Sequence, residues 1–323
     1  MRSRTTIFSF KKLPAVVIAI LAMIVGTEWY IYANRPSILQ DYWNKFLINE
    51  HVLVDQSKGF DYLIIGDSIQ KTGINPALVD SRVLSLGMPG GKPLSLYLLL
   101  ERYLRHHKPP KTVFLYVDPE DAHDSLLVIL RFFMTVPEAI SVWGDLTRQE
   151  RQVFLMRYWA SLDLRKVGLT VRDLYPDKND VFIKTLISNC GYMSAPSASR
   201  ALPADYFSSN KERVQNKVSF TNIDRKYLDK FMALAASKNI RVVFLGFLQP
   251  KELYAIHERT GFNGEYSSFY DTMKTRYPEA VFVDEPLTYM DNSYFGDISH
   301  VNEKGVPIYS EYFKKKVFLP NVF

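Results

Sequence analysis

From residue 62 onward the chain alternates short apolar runs with longer stretches whose apolar positions recur at helical spacing. The runs are Tyr62–Ile65, Val83–Leu86, Thr112–Val117, Arg241–Leu245 and Ala280–Val283. They are rich in β-branched and aromatic residues and lack clean polar alternation, the pattern of strands buried on both faces. Between them, Pro93–His107 places Leu94, Tyr97, Leu98, Leu100 and Leu104 on one helical stripe. Asp224–Lys238 does the same with Tyr227, Leu228, Phe231, Leu234 and Ala235, and Asp224 is the expected cap. Tyr266–Tyr277 and Asn302–Lys316 are two further predicted helices. Strands alternating with helices predict an α/β domain with an open, mostly parallel five-stranded sheet covered on both sides. Ligands of such sheets sit beyond the carboxyl ends of the strands.

Two regions break the rhythm. Leu13–Ala33 is almost wholly apolar, with Glu28 its single charge and Trp29, Tyr30 and Tyr32 near its end. About 20 apolar residues span a bilayer core, so 13–33 is expected to be a transmembrane anchor. Residues 1–12, with their basic side chains, would stay in the cytoplasm, the main domain would be extracytoplasmic, and the aromatics suit the far interface. A cleaved signal peptide is the rival reading, but the bulky Tyr30-Ile31-Tyr32 leaves no small-residue cleavage site. Residues 34–59 would connect the anchor to the domain. The second break is 119–223, where Leu126–Met134 is apolar but too short to span, and Ile140–Trp159 and Ser161–Leu174 look helical. It reads either as a helical insert or lid, or as extra core for the main domain; Ser194–Ser199 and Leu202-Pro203 read as loop. The α/β domain would then comprise 60–118 and 224–323.

Composition narrows the classes. At 323 residues, 47% hydrophobic and 23% charged, the chain is globular rather than disordered. Half of the net charge of +6 lies in the first 33 residues, where Arg2, Arg4, Lys11 and Lys12 face only Glu28. No basic stripe with interleaved aromatics remains, which argues against a nucleic-acid partner. The one cysteine, Cys190, cannot form an intramolecular disulfide or a cysteine-rich metal cluster, and reads as a buried small apolar residue. No cofactor and no metal are expected. Asp118, Glu120, Asp121, His123 and Asp124 cluster, but in no metal-binding spacing, and read as a solvated loop. His51 and His257 have no partner visible in sequence, and His106-His107 suits a helix C-terminus.

Chemistry concentrates in three blocks. Gly66-Asp67-Ser68 directly follows the first predicted strand, where a tight turn can hold a serine at the sheet's edge. About 230 residues later, Asp297-Ile298-Ser299-His300 can turn a carboxylate and an imidazole the same way. Together these are the parts of a Ser-His-Asp acyl-transfer site: Ser68 as nucleophile, His300 as base, Asp297 orienting the ring. Gly87-Met88-Pro89-Gly90-Gly91 follows the second strand and can bring backbone N–H groups close to an oxyanion. Taken singly, each block reads more readily as a turn, a cap or a solvated loop than as part of a site, and Lys92 as a solvated cation.

These blocks resemble the SGNH (GDSL-like) hydrolase superfamily. Gly66-Asp67-Ser68 is similar to its first block, Gly87–Gly90 to its second, and Asp297-Ile298-Ser299-His300 to its last. The resemblance covers residues 60–118 and 225–316. It implies a three-layer α/β/α fold, Ser-His-Asp ester chemistry, and an oxyanion hole formed by the N–H groups of Ser68 and Gly90. The tail His300-Val301-Asn302-Glu303-Lys304-Gly305 is similar to membrane-anchored members, among them the protein of teichoic-acid D-alanyl transfer and the alginate-acetylation proteins. Those work outside the cytoplasm beside membrane-bound O-acyltransferases, which implies such an enzyme as partner and an envelope polymer or glycan as acceptor. One position departs: the family's third block offers an asparagine as oxyanion donor, and here the third strand ends in Tyr116-Val117-Asp118. An ionised carboxylate cannot donate a hydrogen bond.

Three functions follow as expectations. The first is an extracytoplasmic serine acyltransferase or esterase. The second is a non-catalytic module that assists a membrane-bound acyltransferase, motivated by the absent asparagine. The third is a lipid-facing scaffold, resting on the apolar stretches of 119–223 alone.

Overall fold

The computed structural model describes residues 13–34, 58–119, 129, 133–134, 136–156, 184–195, 197–203, 205–209 and 217–322. Its helices are α1 (Leu13–Asn34), α2 (Ser68–Gly73), α3 (Pro76–Val79), α4 (Pro93–His106), α5 (Val136–Val142), α6 (Arg148–Met156) and α7 (Tyr206–Ser209). They continue with α8 (Asn222–Ser237), α9 (Lys251–Thr260), α10 (Phe262–Arg276), α11 (Gly305–Tyr312) and α12 (Leu319–Val322). A π-helical stretch, Phe313–Phe318, joins the last two. The strands are β1 (Tyr62–Ile65), β2 (Val83–Ser85), β3 (Thr112–Leu115), β4 (Arg241–Phe244), β5 (Phe247–Pro250), β6 (Val281–Phe282) and β7 (Leu287–Met290).

The fold is α/β. Five strands form one sheet in the order β2-β1-β3-β4-β6, and every neighbouring pair is parallel. β1, β2 and β3 are buried at every position, which explains why their sequences show no polar alternation. Strand order reverses about β1, so the chain runs from β1 to β2 on one side and returns across β1 to β3 on the other. Such a reversal opens a crevice at the carboxyl ends of the strands. α4 packs along α8, α11 on α2 and α3, and α9 on α10.

Both outward amides of the edge strand β2 are used within the chain. Val83 N–H donates to the Asp80 carbonyl at 3.1 Å, and Ser85 N–H to the Cys190 carbonyl at 2.9 Å. Cys190 is half-buried rather than core, and sits in the left-handed region at φ 51°. That turn, continued by Gly191 at φ 82°, aims its carbonyl at the strand.

The described part of 119–223 contributes to the main core: Ile129, Phe133, Met134, Ala139, Val142, Leu146, Leu186, Leu202 and Phe207 are buried with the sheet's residues. A buried ion pair fastens it to α4. Arg102 donates from Nε to Glu138 Oε1 at 2.7 Å and from Nη2 to Oε2 at 2.5 Å and to the Phe133 carbonyl at 3.0 Å. The guanidinium also lies 4.0 Å from the Phe133 ring centroid.

Several local expectations need correction. The cap of α8 is Thr221, and Asp224 is the third helical residue, completing a reciprocal capping box with it. The last long helix starts at Gly305 rather than Asn302, because Asn302 folds the turn before it. The ribbon of β5 and β7, a separate parallel pair, went unread. Pro250 and Gln249 disguise β5, yet Gln249 is fully buried and bonds His257 Nδ1 at 2.5 Å and Asn263 at 3.2 Å. His257 therefore has a partner that sequence spacing concealed. Glu120, Asp121, His123 and Asp124 of the charged cluster, His51, most of the connector, and 161–174 lie outside the described residues.

α1 is a 22-residue helix whose described side chains run from Pro14 to Gly26. Val16, Val17, Ile18, Ile20, Leu21, Met23 and Val25 are all exposed. Among the described residues no helix is long and apolar enough to cross a membrane.

The Arg102–Glu138 pair yields a stability test. Arg102→Ala strands a buried carboxylate and is expected to cost about 3–5 kcal/mol. The double variant Arg102→Met with Glu138→Leu should recover most of that loss, as read by denaturant unfolding of the purified protein.

Candidate active site

The turn that carries Ser68 is built by close approach of two loops. β1 ends at Ile65, and Gly66 follows with its Cα against Tyr116; a Cβ there would lie 3.0 Å from that residue's Cβ. Asp67 caps α2 by accepting from Ile69 N–H at 2.8 Å. Ser68 is the first residue of the helix, so its N–H is one of those with no intrahelical acceptor. The glycine turn after β2 packs directly on this one. Met88 N–H donates to the Gly66 carbonyl at 2.9 Å. A Cβ on Gly91 would sit 2.6 Å from the same carbonyl, and one on Gly87 2.9 Å from that of Asp67. Only glycine permits that contact. Gly90 occupies the left-handed region at φ 61°, which turns the chain beside Ser68's loop.

The second half of the site is a short loop closed by an antiparallel bridge between Phe295 and Val301, both buried. Within it Asp297 acts as a hub. Its Oδ1 accepts Ser299 N–H at 2.9 Å and His300 N–H at 2.8 Å, which folds the turn. His300 Nδ1 lies 3.0 Å from Oδ1 and 2.9 Å from Oδ2, and Ser197 Oγ donates to Oδ2 at 2.6 Å. His300 Nε2 then lies 2.8 Å from Ser68 Oγ. Ser68, His300 and Asp297, separated by some 230 residues of sequence, are thus brought into one hydrogen-bonded line. With Nδ1–H held by the carboxylate, Nε2 is left as the acceptor for the serine hydroxyl.

Burial alone would raise the Asp297 carboxyl. The His300 ring, its charge, Ser197 and the Ser299 amide outweigh that and hold it well below the usual carboxylate range, so it is an anion at every physiological pH.

Asn302 anchors the loop's far end. Its Nδ2 donates to the Ser293 carbonyl at 2.8 Å and the Arg200 carbonyl at 3.2 Å, while its Oδ1 accepts the N–H groups of Lys304 and Gly305 at 3.1 Å. Gly305 must be glycine, since a Cβ would lie 2.3 Å from the Tyr294 carbonyl. Neither residue carries a task visible in the sequence. Ser197 reads there only as loop, and no spacing points to it.

Lys92 is not solvated; it is buried, and its Nζ reaches the Asp118 carbonyl at 3.2 Å and Oδ2 at 3.6 Å. Asp118 therefore sits in an ion pair, and its carboxylate is not an oxyanion donor. Asp67 belongs to the same cluster. Burial and then the Asp118 charge push its carboxyl up to about 7, against the opposing pull of the Ile69 amide, His300 and Lys92. Among the described residues, no group of three or more His, Cys, Asp or Glu could hold a metal ion.

A scan against protein-family models matches none, and a search of curated proteins finds no match.

The Asp67 carboxyl predicts a pH dependence of stability. An unfolded aspartate titrates near 3.9, whereas this one keeps its proton to about 7. Between those values the folded state binds the extra proton, so stability falls as pH rises through the window. Asp67→Asn keeps a capping oxygen and removes the titration. Its stability relative to wild type should rise between pH 5 and pH 8 by ~1–3 kcal/mol, measured by urea midpoints across that range.

Proposed function

We propose that this chain is an extracytoplasmic serine acyl-transfer enzyme of the SGNH-like type, acting on a cell-envelope polysaccharide or polymer. The observation that carries the reading is the 2.8 Å contact between Ser68 Oγ and His300 Nε2, with His300 Nδ1 seated on Asp297. Strand order adds support, since Ser68 follows β1, where the order reverses and ligands of such sheets bind. The packing of α4 along α8 and of α11 on α2 and α3 suits a three-layer α/β/α arrangement.

In this reading Ser68 Oγ attacks the carbonyl carbon of an activated acyl group while His300 Nε2 takes the hydroxyl proton. The Asp297 carboxylate stabilises the imidazolium that forms. Collapse of the tetrahedral intermediate breaks the bond to the leaving group, which receives the proton from His300. A sugar hydroxyl, or water, then attacks the acyl-serine with His300 again as base, and the acyl–serine bond breaks as His300 returns the proton to Ser68 Oγ. With Asp118 occupied by Lys92, backbone N–H groups carry the oxyanion, and those of Ser68 and Gly90 are the candidates. Losing a side-chain donor costs ~3 kcal/mol of transition-state stabilisation, tolerable for a transferase that works on a captive donor.

The proposed location rests on the sequence of 13–33, an apolar run of the length that spans a bilayer core. With Arg2, Arg4, Lys11 and Lys12 before it, it anchors the chain with its N-terminus in the cytoplasm. The domain then works at the outer membrane face, beside a membrane-bound O-acyltransferase that supplies the acyl group.

Ser68→Ala and His300→Ala are each expected to lower acyl transfer by about 10³-fold or more. Fluorophosphonate should label Ser68 in the wild type and neither variant at a comparable rate. Wild-type acylation of the envelope in cells carrying either variant would refute the catalytic reading, and absent labelling would favour a module that only presents substrate.

A further inference from the structure

The carboxylate of Asp297 is held from outside its own loop. Ser197 lies in the long stretch between β3 and β4, 100 residues before Asp297, yet its hydroxyl donates to Oδ2 at 2.6 Å. That oxygen also meets His300 Nδ1 at 2.9 Å. The contact belongs to a wider docking of residues 197–202 along the His300 loop. Glu303 N–H donates to the Ala198 carbonyl at 3.0 Å, Leu202 N–H to the Phe295 carbonyl at 2.8 Å, and Asn302 Nδ2 to the Arg200 carbonyl at 3.2 Å. Beside it, Gly296 lacks the Cβ that would fall 2.2 Å from the Ser197 carbonyl. Residue 296 must be small for residue 197 to reach residue 297.

We propose that Ser197 is a positioning residue of the acyl-transfer site, acting through Asp297 to aim His300 at Ser68. The inference rests on the reading of Ser68 as nucleophile. A carboxylate that serves a histidine must hold its plane as well as its charge. Two backbone amides fix Oδ1, whereas Oδ2 is fixed by the imidazole and Ser197. Without the hydroxyl, rotation about the Cβ–Cγ bond is opposed at Oδ2 only by the ring it is meant to orient. The hydroxyl also withdraws charge from the carboxylate. Its removal leaves Oδ2 one donor short. Misplacement on this scale costs up to about 100-fold in rate.

The test uses the full-length protein and the rate of Ser68 labelling by a fluorophosphonate, which needs no knowledge of the natural substrate. Ser197→Thr and Ser197→Val share a shape and differ in the hydroxyl, and Ser197→Ala removes both. Thr is expected to label within about threefold of wild type. Val and Ala should label about 10- to 100-fold more slowly. In an Asp297→Asn background, the Val and Thr variants should label alike, because the route through the carboxylate is gone. Wild-type rates in all three single variants would overturn the proposal. So would a Thr variant as slow as Val, since shape rather than the hydroxyl would then decide. Failure of the wild type itself to label would instead remove the nucleophile reading on which the inference rests. Thermal melting of each variant separates these outcomes from loss of fold, and the Thr–Val comparison stays readable if Ala unfolds.

Discussion

The arrangement of the site depends on how many donors one carboxylate can satisfy. Asp297 accepts from two amides of its own loop, from the His300 ring and from Ser197. An ionised carboxylate has about four acceptor positions, and here each has a task. The amides shape the turn, the ring is held toward Ser68, and the serine ties in a segment a hundred residues away. Burial would otherwise favour a neutral acid; the donors reverse that preference. Local geometry, charge state and tertiary docking are thus set by the same four contacts.

The second constraint is steric. Parallel strands ending at one edge bring their following loops together, and here those loops meet at backbone-to-backbone distance. Gly66, Gly87 and Gly91 are the points of contact, and the Met88–Gly66 hydrogen bond closes the junction. The crowding lets the first turn of α2 and the left-handed Gly90 share one small space. It also buries Asp67 close to Asp118, with Lys92 as counter-ion. The charge cluster beneath Ser68 is therefore a by-product of the packing that presents the serine.

Much of this was legible in the residues. The strands of the main sheet were readable because they are buried on both faces and need no alternation. Gly66-Asp67-Ser68 and Asp297–His300 stood out because cap, glycine and histidine chemistry is local. What escaped was information held in contacts at long sequence separation. β5 carries a proline and a glutamine that look like loop until His257 and Asn263 are seen to satisfy the amide. Lys92 looks solvated until Asp118 is placed against it. Ser197 sits among serines, alanines and a proline that carry no periodicity, and only the tertiary fold selects it. The start of α11 was misplaced because Asn302 serves as a turn-former, bonding both into the helix and back to Ser293.

The edge strand β2 has one more implication. Its two outward amides, on Val83 and Ser85, already donate to Asp80 and Cys190, so a foreign strand finds no ladder to extend there. At the opposite margin β6 offers only two residues, too brief a template for stable pairing. The sheet is closed to growth at both borders without being rolled into a barrel. Copies of the chain can therefore crowd together without zipping sheet to sheet, and their associations are left to side chains and loops.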